Sequence, residues 1–177
     1  CSYGTQGNGI VKHSGLNSDY SMYVAGTAKG LAAAAAFAEV TPAMKEFLMA
    51  YAKPLDYTHP STPFCLGVLD AALDLLPVVG ESRRLRVHQL SVRLINGLRD
   101  QGFYVMNNTS FPIISVWAGN TETLISASRY LYERGVFLTS CPYPTMPKGK
   151  EALRLTVTAF NTEEQIDHVL NIFDEIR

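Results

Sequence analysis

A lysine held between glycines is the residue in this sequence best suited to covalent chemistry. It is Lys29, in the run Ala25-Gly26-Thr27-Ala28-Lys29-Gly30-Leu31, followed at once by five alanines. An ammonium beside so much apolar bulk is disfavoured relative to the neutral amine, and a neutral lysine amine is the nucleophile of imine chemistry. A solvated lysine in a glycine-rich turn is the other reading of the same residues. Turns of this kind can also cradle a phosphate with their backbone N–H groups. The sequence, however, contains neither GxxxxGK[ST] nor GxGxxG after a strand.

The second candidate is Arg154, in Leu153-Arg154-Leu155-Thr156-Val157-Thr158. Strand alternation places Leu153, Leu155 and Val157 on one face and Arg154, Thr156 and Thr158 on the other. A guanidinium on the wet face of an inner strand is suited to gripping a carboxylate through two parallel hydrogen bonds, and equally to a structural ion pair with a neighbouring helix. His59, in Tyr57-Thr58-His59-Pro60, is either a ligand or the start of a loop. His13, His88 and His168 have no Cys, Asp or Glu at metal-ligand spacing, and no Ser-His-Asp or Cys-His arrangement can be read, so no metal is expected.

These residues need elements to position them. Gly4, Gly7, Gly9, Gly15 and Gly26 make residues 1–30 loop and turn, broken by a strand-like run over 20–25. Thr41-Pro42 reads as an N-cap with proline at the first helical position, opening a helix to about Ala52 that Lys53-Pro54 closes. Thr62-Pro63 repeats the signal, and Leu66, Leu69, Leu73 and Leu76 form one stripe, expected to be buried, until Pro77 ends the helix. The alternation that follows predicts an α+β lobe. It comprises a helix over 82–100 with Leu85, Leu94 and Leu98 inward, a strand at 103–106, a β-rich run at 112–118 and a helix over 122–134. Strands at 136–140 and 152–158 and a helix from Glu163 complete it. Thr162-Glu163-Glu164-Gln165 has capping-box spacing. The lobe boundary is expected at 77/78, and the alanine run is read as close packing.

Composition narrows the function classes. The chain has 177 residues, 47% hydrophobic and 18% charged, with 15 basic against 16 acidic side chains. A low charged fraction and ordinary apolar content predict a folded chain with a large contact surface, compatible with a homodimer. Balanced charge without a basic block leaves no footprint for nucleic acid or an anionic membrane. The longest uninterrupted apolar run, residues 30–38, is about half of the ~20 residues a membrane helix requires, so no span is expected. Three cysteines without a CxxC argue against a disulfide framework or zinc site, which makes a reducing cytoplasm the default. Opening on Cys1 without a signal-peptide pattern suggests that an upstream segment was removed; a lipid-modified Cys1 is the alternative.

Three stretches together resemble one enzyme family. GTQGNGIVKHSGL, Asp19 and GTAKGL look like the segment of the α-oxoamine synthases that follows their Asp-x-Ala-His motif and ends at the cofactor lysine. KPLDYTHPSTP resembles the family's Arg-Pro-x-x-(Phe/Tyr)-Ser-Thr-x-x-x-Pro segment. PTMPKGKEALRLTVTAFNTEEQID is similar to its Pro-x-x-Pro-x-Gly, Arg and Thr-Ala-x-His-Thr sequence. The family's members are about twice this length, so the resemblance is to their second half. It implies an α/β, fold-type-I pyridoxal phosphate (PLP) transferase. Residues 1–77 would be the end of the large cofactor-binding domain with its connecting helix, and 78–177 the α+β C-terminal small domain.

The implied activity is condensation of an amino acid with an acyl-CoA by a homodimer, closest to the alanine-using branch, with glycine- and serine-using branches open. By resemblance, Lys29 forms the Schiff base, Arg154 holds the substrate carboxylate, and Thr58 reaches the cofactor phosphate of the neighbouring subunit. His59 stands where the family has Thr or Asn. Gly26 occupies the position of a phosphate-binding Thr or Ser, and the nearest hydroxyl is Thr27. Asn161 replaces the usual histidine, and Lys12 a common glutamate. Because Cys1 falls just after the expected Asp-x-Ala-His, the complete site is expected to need residues from outside this chain. An aminotransferase of the same fold and a non-catalytic dimerisation lobe are the alternatives.

Overall fold

The computed structural model describes residues 3–16 and 22–177; Cys1, Asp19 and the first two residues of the expected strand at 20–25 lie outside the described residues. A short helix α1 (Gly9–His13) precedes a hairpin of β1 (Tyr23–Gly26) and β2 (Ala36–Glu39), paired antiparallel from Tyr23↔Glu39 to Gly26↔Ala36. The alanine run therefore forms the hairpin loop and the start of β2. Of that run only Ala33 is buried, so the close-packing expectation fails for the rest, whose small side chains serve a turn.

Helix α2 (Pro42–Tyr51) begins as the sequence predicts, with the Thr41 hydroxyl accepting from the Met44 N–H. Lys53-Pro54 ends it and in the same step opens α3 (Lys53–Tyr57), because proline is tolerated in a helix's first turn. The next element corrects the sequence reading. A single helix, α4 (Pro63–Asp100), runs straight through Pro77. An internal proline removes one backbone hydrogen bond and costs about 3 kcal/mol. Here helix-compatible sequence on both sides lets propagation continue past the lost bond, and Arg84 pairs with Glu81 at 2.7 Å just beyond it.

The described chain divides into two compact units, 1–84 and 85–177, and α4 begins in the first and ends in the second. The leucine stripe of α4 in the first unit is not buried as expected: Leu66 and Leu73 are half exposed. α4 is also the one helix among the described residues long and apolar enough, by length and composition, to cross a membrane. Counting uninterrupted apolar runs missed it because Asp70 and Asp74 interrupt the pattern.

In the second unit, β3 (Ile113–Gly119), β4 (Thr139–Cys141) and β5 (Glu151–Thr156) form an antiparallel sheet in the order β3-β5-β4, with α5 (Thr121–Glu133) and α6 (Glu163–Glu175) completing the fold. The core joins the sheet face carrying Ile114, Val116, Leu153 and Leu155 to Leu90, Leu94 and Leu98 of α4, Leu124 and Leu131 of α5, and Ile166 and Phe173 of α6. Leu85, expected inward, is 56% exposed. At about 100° per residue it lies some 140° around the helix from Leu90, off the buried stripe. The expected strand at 103–106 reduces to one bridge, Val105↔Val116. The α6 capping box forms as predicted, and Arg93 grips Asp167 at 2.8 Å to tie α6 to α4.

Candidate active site

The candidates fall in both units: Gly26, Thr27, Lys29, Thr58 and His59 in the first, Arg154 in the second. Lys29 sits in the turn directly after β1 and is exposed. The turn is held from inside. Thr27 is buried, its N–H donates to the Ala35 carbonyl at 2.9 Å, and its hydroxyl lies 2.7 Å from the Ala33 carbonyl and 2.8 Å from that of Ala35. One hydroxyl proton shared between two carbonyls leaves no donor for an outside anion. Its partners, six and eight residues on, bend the loop so that Lys29 is carried at the surface.

Gly26 is exposed, and a Cβ built on it meets nothing within 4 Å. Glycine is not required there by space, nor by a positive φ. Thr58 is exposed at the end of α3, its hydroxyl donating back to the Pro54 carbonyl, and His59 follows on the surface. His13, outside the candidate set, stacks edge-on against Tyr3 with ring centroids 4.9 Å apart.

Arg154 lies at the centre of β5, paired with Ser115 of β3 and Thr139 of β4. The alternation predicted for it holds, with Leu153, Leu155 and Val157 buried and Arg154 half-buried on the opposite face. Its Nε–H is buried without a hydrogen-bond partner, and among the described residues no carboxylate pairs with its guanidinium. A cation without a counter-ion in its own unit is unusual, because burying an unsatisfied donor costs about 1–3 kcal/mol. The arrangement can receive a carboxylate. Groups of three or more metal-ligating side chains are absent among the described residues.

Sequence reasoning missed two features of the second unit. Glu151 is 3% exposed, with one carboxylate oxygen 3.4 Å from the Thr121 hydroxyl and the other unpartnered. A cavity of about 560 Å³ lies between β3 and α5, lined by Phe103, Val116, Thr123, Tyr130 and Ile176 among others. Neither has a local signal, because each is assembled from residues distant in the chain.

No protein-family model matches the chain. Individual proteins do. The 8-amino-7-oxononanoate synthase of Pseudomonas putida is 33% identical over 174 residues, 97% of this chain and 44% of that protein. The 8-amino-7-oxononanoate synthase/2-amino-3-ketobutyrate coenzyme A ligase of Thermus thermophilus is 30% identical over 174 residues, 98% of this chain and 44% of that protein. The chain thus spans a little under half the length of the curated relatives it matches. Among solved structures, a serine palmitoyltransferase of Sphingomonas wittichii superposes with a TM-score of 0.88 at 24% identity, covering 98% of this chain and 43% of that one. The 8-amino-7-oxononanoate synthase of Francisella tularensis gives 0.86 at 22% identity, covering 98% and 51%. The serine palmitoyltransferase from S. paucimobilis, solved with bound PLP-myriocin aldimine, gives 0.87 at 22% identity. These likenesses establish the fold-type-I architecture expected from the sequence. Over 97–98% of its length the chain is thus similar to part of an 8-amino-7-oxononanoate synthase and shares its fold with that enzyme and with serine palmitoyltransferase, in keeping with the resemblance of its motifs to the α-oxoamine synthases.

Proposed function

We propose that this chain is the C-terminal part of a PLP-dependent acyltransferase that condenses a small amino acid with an acyl-CoA. The observation that carries the reading is Arg154, an inner-strand guanidinium that pairs with no carboxylate among the described residues, in a chain matched over 97% of its length by an 8-amino-7-oxononanoate synthase. Residues 1–77 then belong to the end of the large domain and 78–177 to the small domain.

An exposed lysine in a turn braced by Thr27 fits a covalently held aldehyde cofactor, since its amine is accessible and its backbone is fixed. Lys29 is the residue that would hold PLP. Gly26, Thr58 and His59 line the positions expected to meet its phosphate, and Thr27 acts by shaping the turn. When bound, PLP supplies the electron sink that makes the amino acid's Cα–H acidic. The chain's own residues do the rest. The Arg154 guanidinium grips the substrate carboxylate and fixes the amino acid's orientation, and the Lys29 Nζ, as general base, removes the proton from Cα. The half-exposed apolar stripe of α4 supports a homodimer, in which protein rather than lipid covers that helix. A cytoplasmic location accords with this reading.

One observation favours a second reading, a non-catalytic dimerisation lobe: the Thr27 hydroxyl is engaged within its loop, and Gly26 offers none. The intact protein containing this chain separates the readings. With PLP, an amino acid and an acyl-CoA, it should show a lysine-linked chromophore and release free coenzyme A, and Lys29→Ala should abolish both. Transamination of a keto acid without coenzyme A release would indicate the aminotransferase alternative. Absence of any chromophore would leave the non-catalytic lobe.

A further inference from the structure

The unpartnered Nε–H of Arg154 and the pairing of its strand together single out a neighbouring side chain. Ser115 stands directly opposite Arg154 across the β3–β5 ladder. Its backbone N–H donates to the Asn107 side-chain oxygen at 2.8 Å, and its carbonyl accepts the Met106 N–H, also at 2.8 Å. Trp117, two residues on, likewise donates its backbone N–H away from β5, to the Tyr104 carbonyl at 3.0 Å. Since a strand residue's N–H and C=O point to the same side, the polar backbone of Ser115 faces away from β5. Ser115 and Arg154 must then form a non-hydrogen-bonded antiparallel pair, the kind whose Cα atoms approach to about 4.5 Å and whose side chains lie closer together.

The same parity turns the backbone of Arg154 toward β4. Its pair with Thr139 is consequently of the hydrogen-bonded kind, about 5.5 Å apart, with side chains more widely separated. Ser115 is also half-buried whereas Thr139 is exposed, which matters for a donor that no solvent reaches. The residues flanking Ser115 on this face are Ile113 and Trp117. Isoleucine has no acceptor, and the indole N–H of Trp117 is a donor already bound to the Gly149 carbonyl at 2.8 Å. Asn107 braces the position further by donating to the Ile113 carbonyl at 2.7 Å.

We infer that Ser115 is a positioning residue for Arg154: its hydroxyl, rotated about χ1, accepts the buried Nε–H and holds the guanidinium with both terminal amino groups end-on to a carboxylate ligand. The inference rests on the reading of Arg154 as the binder of the amino-acid carboxylate. It adds the geometry of that grip and the side chain that sets it.

The test compares three variants of the intact enzyme. Ser115→Val removes the hydroxyl but keeps a strand-favouring branched side chain, Ser115→Thr keeps both, and Ser115→Ala covers the case in which valine prevents folding. Losing a hydrogen bond to a charged group should raise the amino-acid KM about 10- to 150-fold in Ser115→Val and Ser115→Ala. The acyl-CoA KM and kcat at saturating amino acid should stay within about twofold, and Ser115→Thr within about threefold of the parent, since only the orientation of one guanidinium changes. A readout that needs no cofactor is the NMR signal of the Arg154 Nε–H in this chain, which should move in Ser115→Val and not in Ser115→Thr. An unchanged amino-acid KM in Ser115→Val overturns the inference. So does a Ser115→Thr variant as impaired as Ser115→Val, or an equal rise in both KM values. Failure of the underlying reading looks different: Arg154→Lys would then leave the amino-acid KM unaltered.

Discussion

Replacing Arg154 by methionine separates a ligand-binding arginine from a structural one, because the two roles predict opposite signs for stability. Methionine keeps a long unbranched side chain of similar reach and deletes the guanidinium. If the guanidinium made a structural ion pair, its removal would strand a partner, and stability would fall. In this structure no carboxylate partner exists among the described residues, and the Nε–H is buried unsatisfied. Deleting a donor that is unpaired, or held only by the neutral Ser115 hydroxyl as inferred above, strands no charged group, so stability is kept or rises, by up to about 1–3 kcal/mol for a wholly unsatisfied donor. For a unit the size of residues 85–177, a gain of ~1 kcal/mol corresponds to a Tm rise of ~4–8 °C. Arg154→Met in this chain should therefore melt at or above the parent temperature, followed by circular dichroism, with the transition of the second unit scored separately. In the intact enzyme the same substitution should raise the amino-acid KM strongly, a stability–function trade-off. A Tm lowered by more than about 4 °C, equivalent to ~1 kcal/mol lost, would show that Arg154 holds the fold together and refute the argument.

Three further outcomes follow from the hairpin and from α6. Gly26→Thr should fold with a Tm within about 2 °C of the parent, because the added Cβ enters open space, and should tighten PLP binding in the intact enzyme by supplying a hydroxyl near Lys29; equilibrium dialysis would measure it. Thr27→Val should destabilise the first unit by about 0.5–1.5 kcal/mol, read by denaturant titration, because it removes the hydroxyl that ties the loop to the Ala33 and Ala35 carbonyls, each of which keeps only its backbone donor. The carboxyl of Glu164 is held below the usual carboxylate range, first by a backbone N–H in the opening turn of α6 and then by the Thr162 hydroxyl. A lowered folded-state value means that this stabilisation is present above the unfolded pKa and is lost as pH falls through the folded one. Glu164→Gln should accordingly melt lower than the parent at neutral pH, with the difference closing in acid.

What could be read from the chain alone were features decided by near neighbours. The Thr41-Pro42 start of α2, the Thr162–Gln165 capping box and the alternation of Leu153, Arg154 and Leu155 depend on residues within a few positions of each other, and each forms as expected. The same locality made Lys29 conspicuous, since its glycines and alanines adjoin it. Wherever tertiary context overrode a local rule, the reading failed. Pro77 is a breaker by its own chemistry, yet sits inside α4 because both flanks propagate helix. Leu85 looked inward by type and lies outward because the buried stripe is set by Leu90, Leu94 and Leu98. Thr27 stood out as the hydroxyl nearest the expected phosphate position and is engaged by carbonyls that only the closed hairpin brings to it. Which side chain stands beside Arg154 was beyond sequence reasoning altogether. Ser115 is separated from it by a helix, a strand and two loops, and their adjacency is a matter of sheet register, which the packing of the whole hydrophobic face decides.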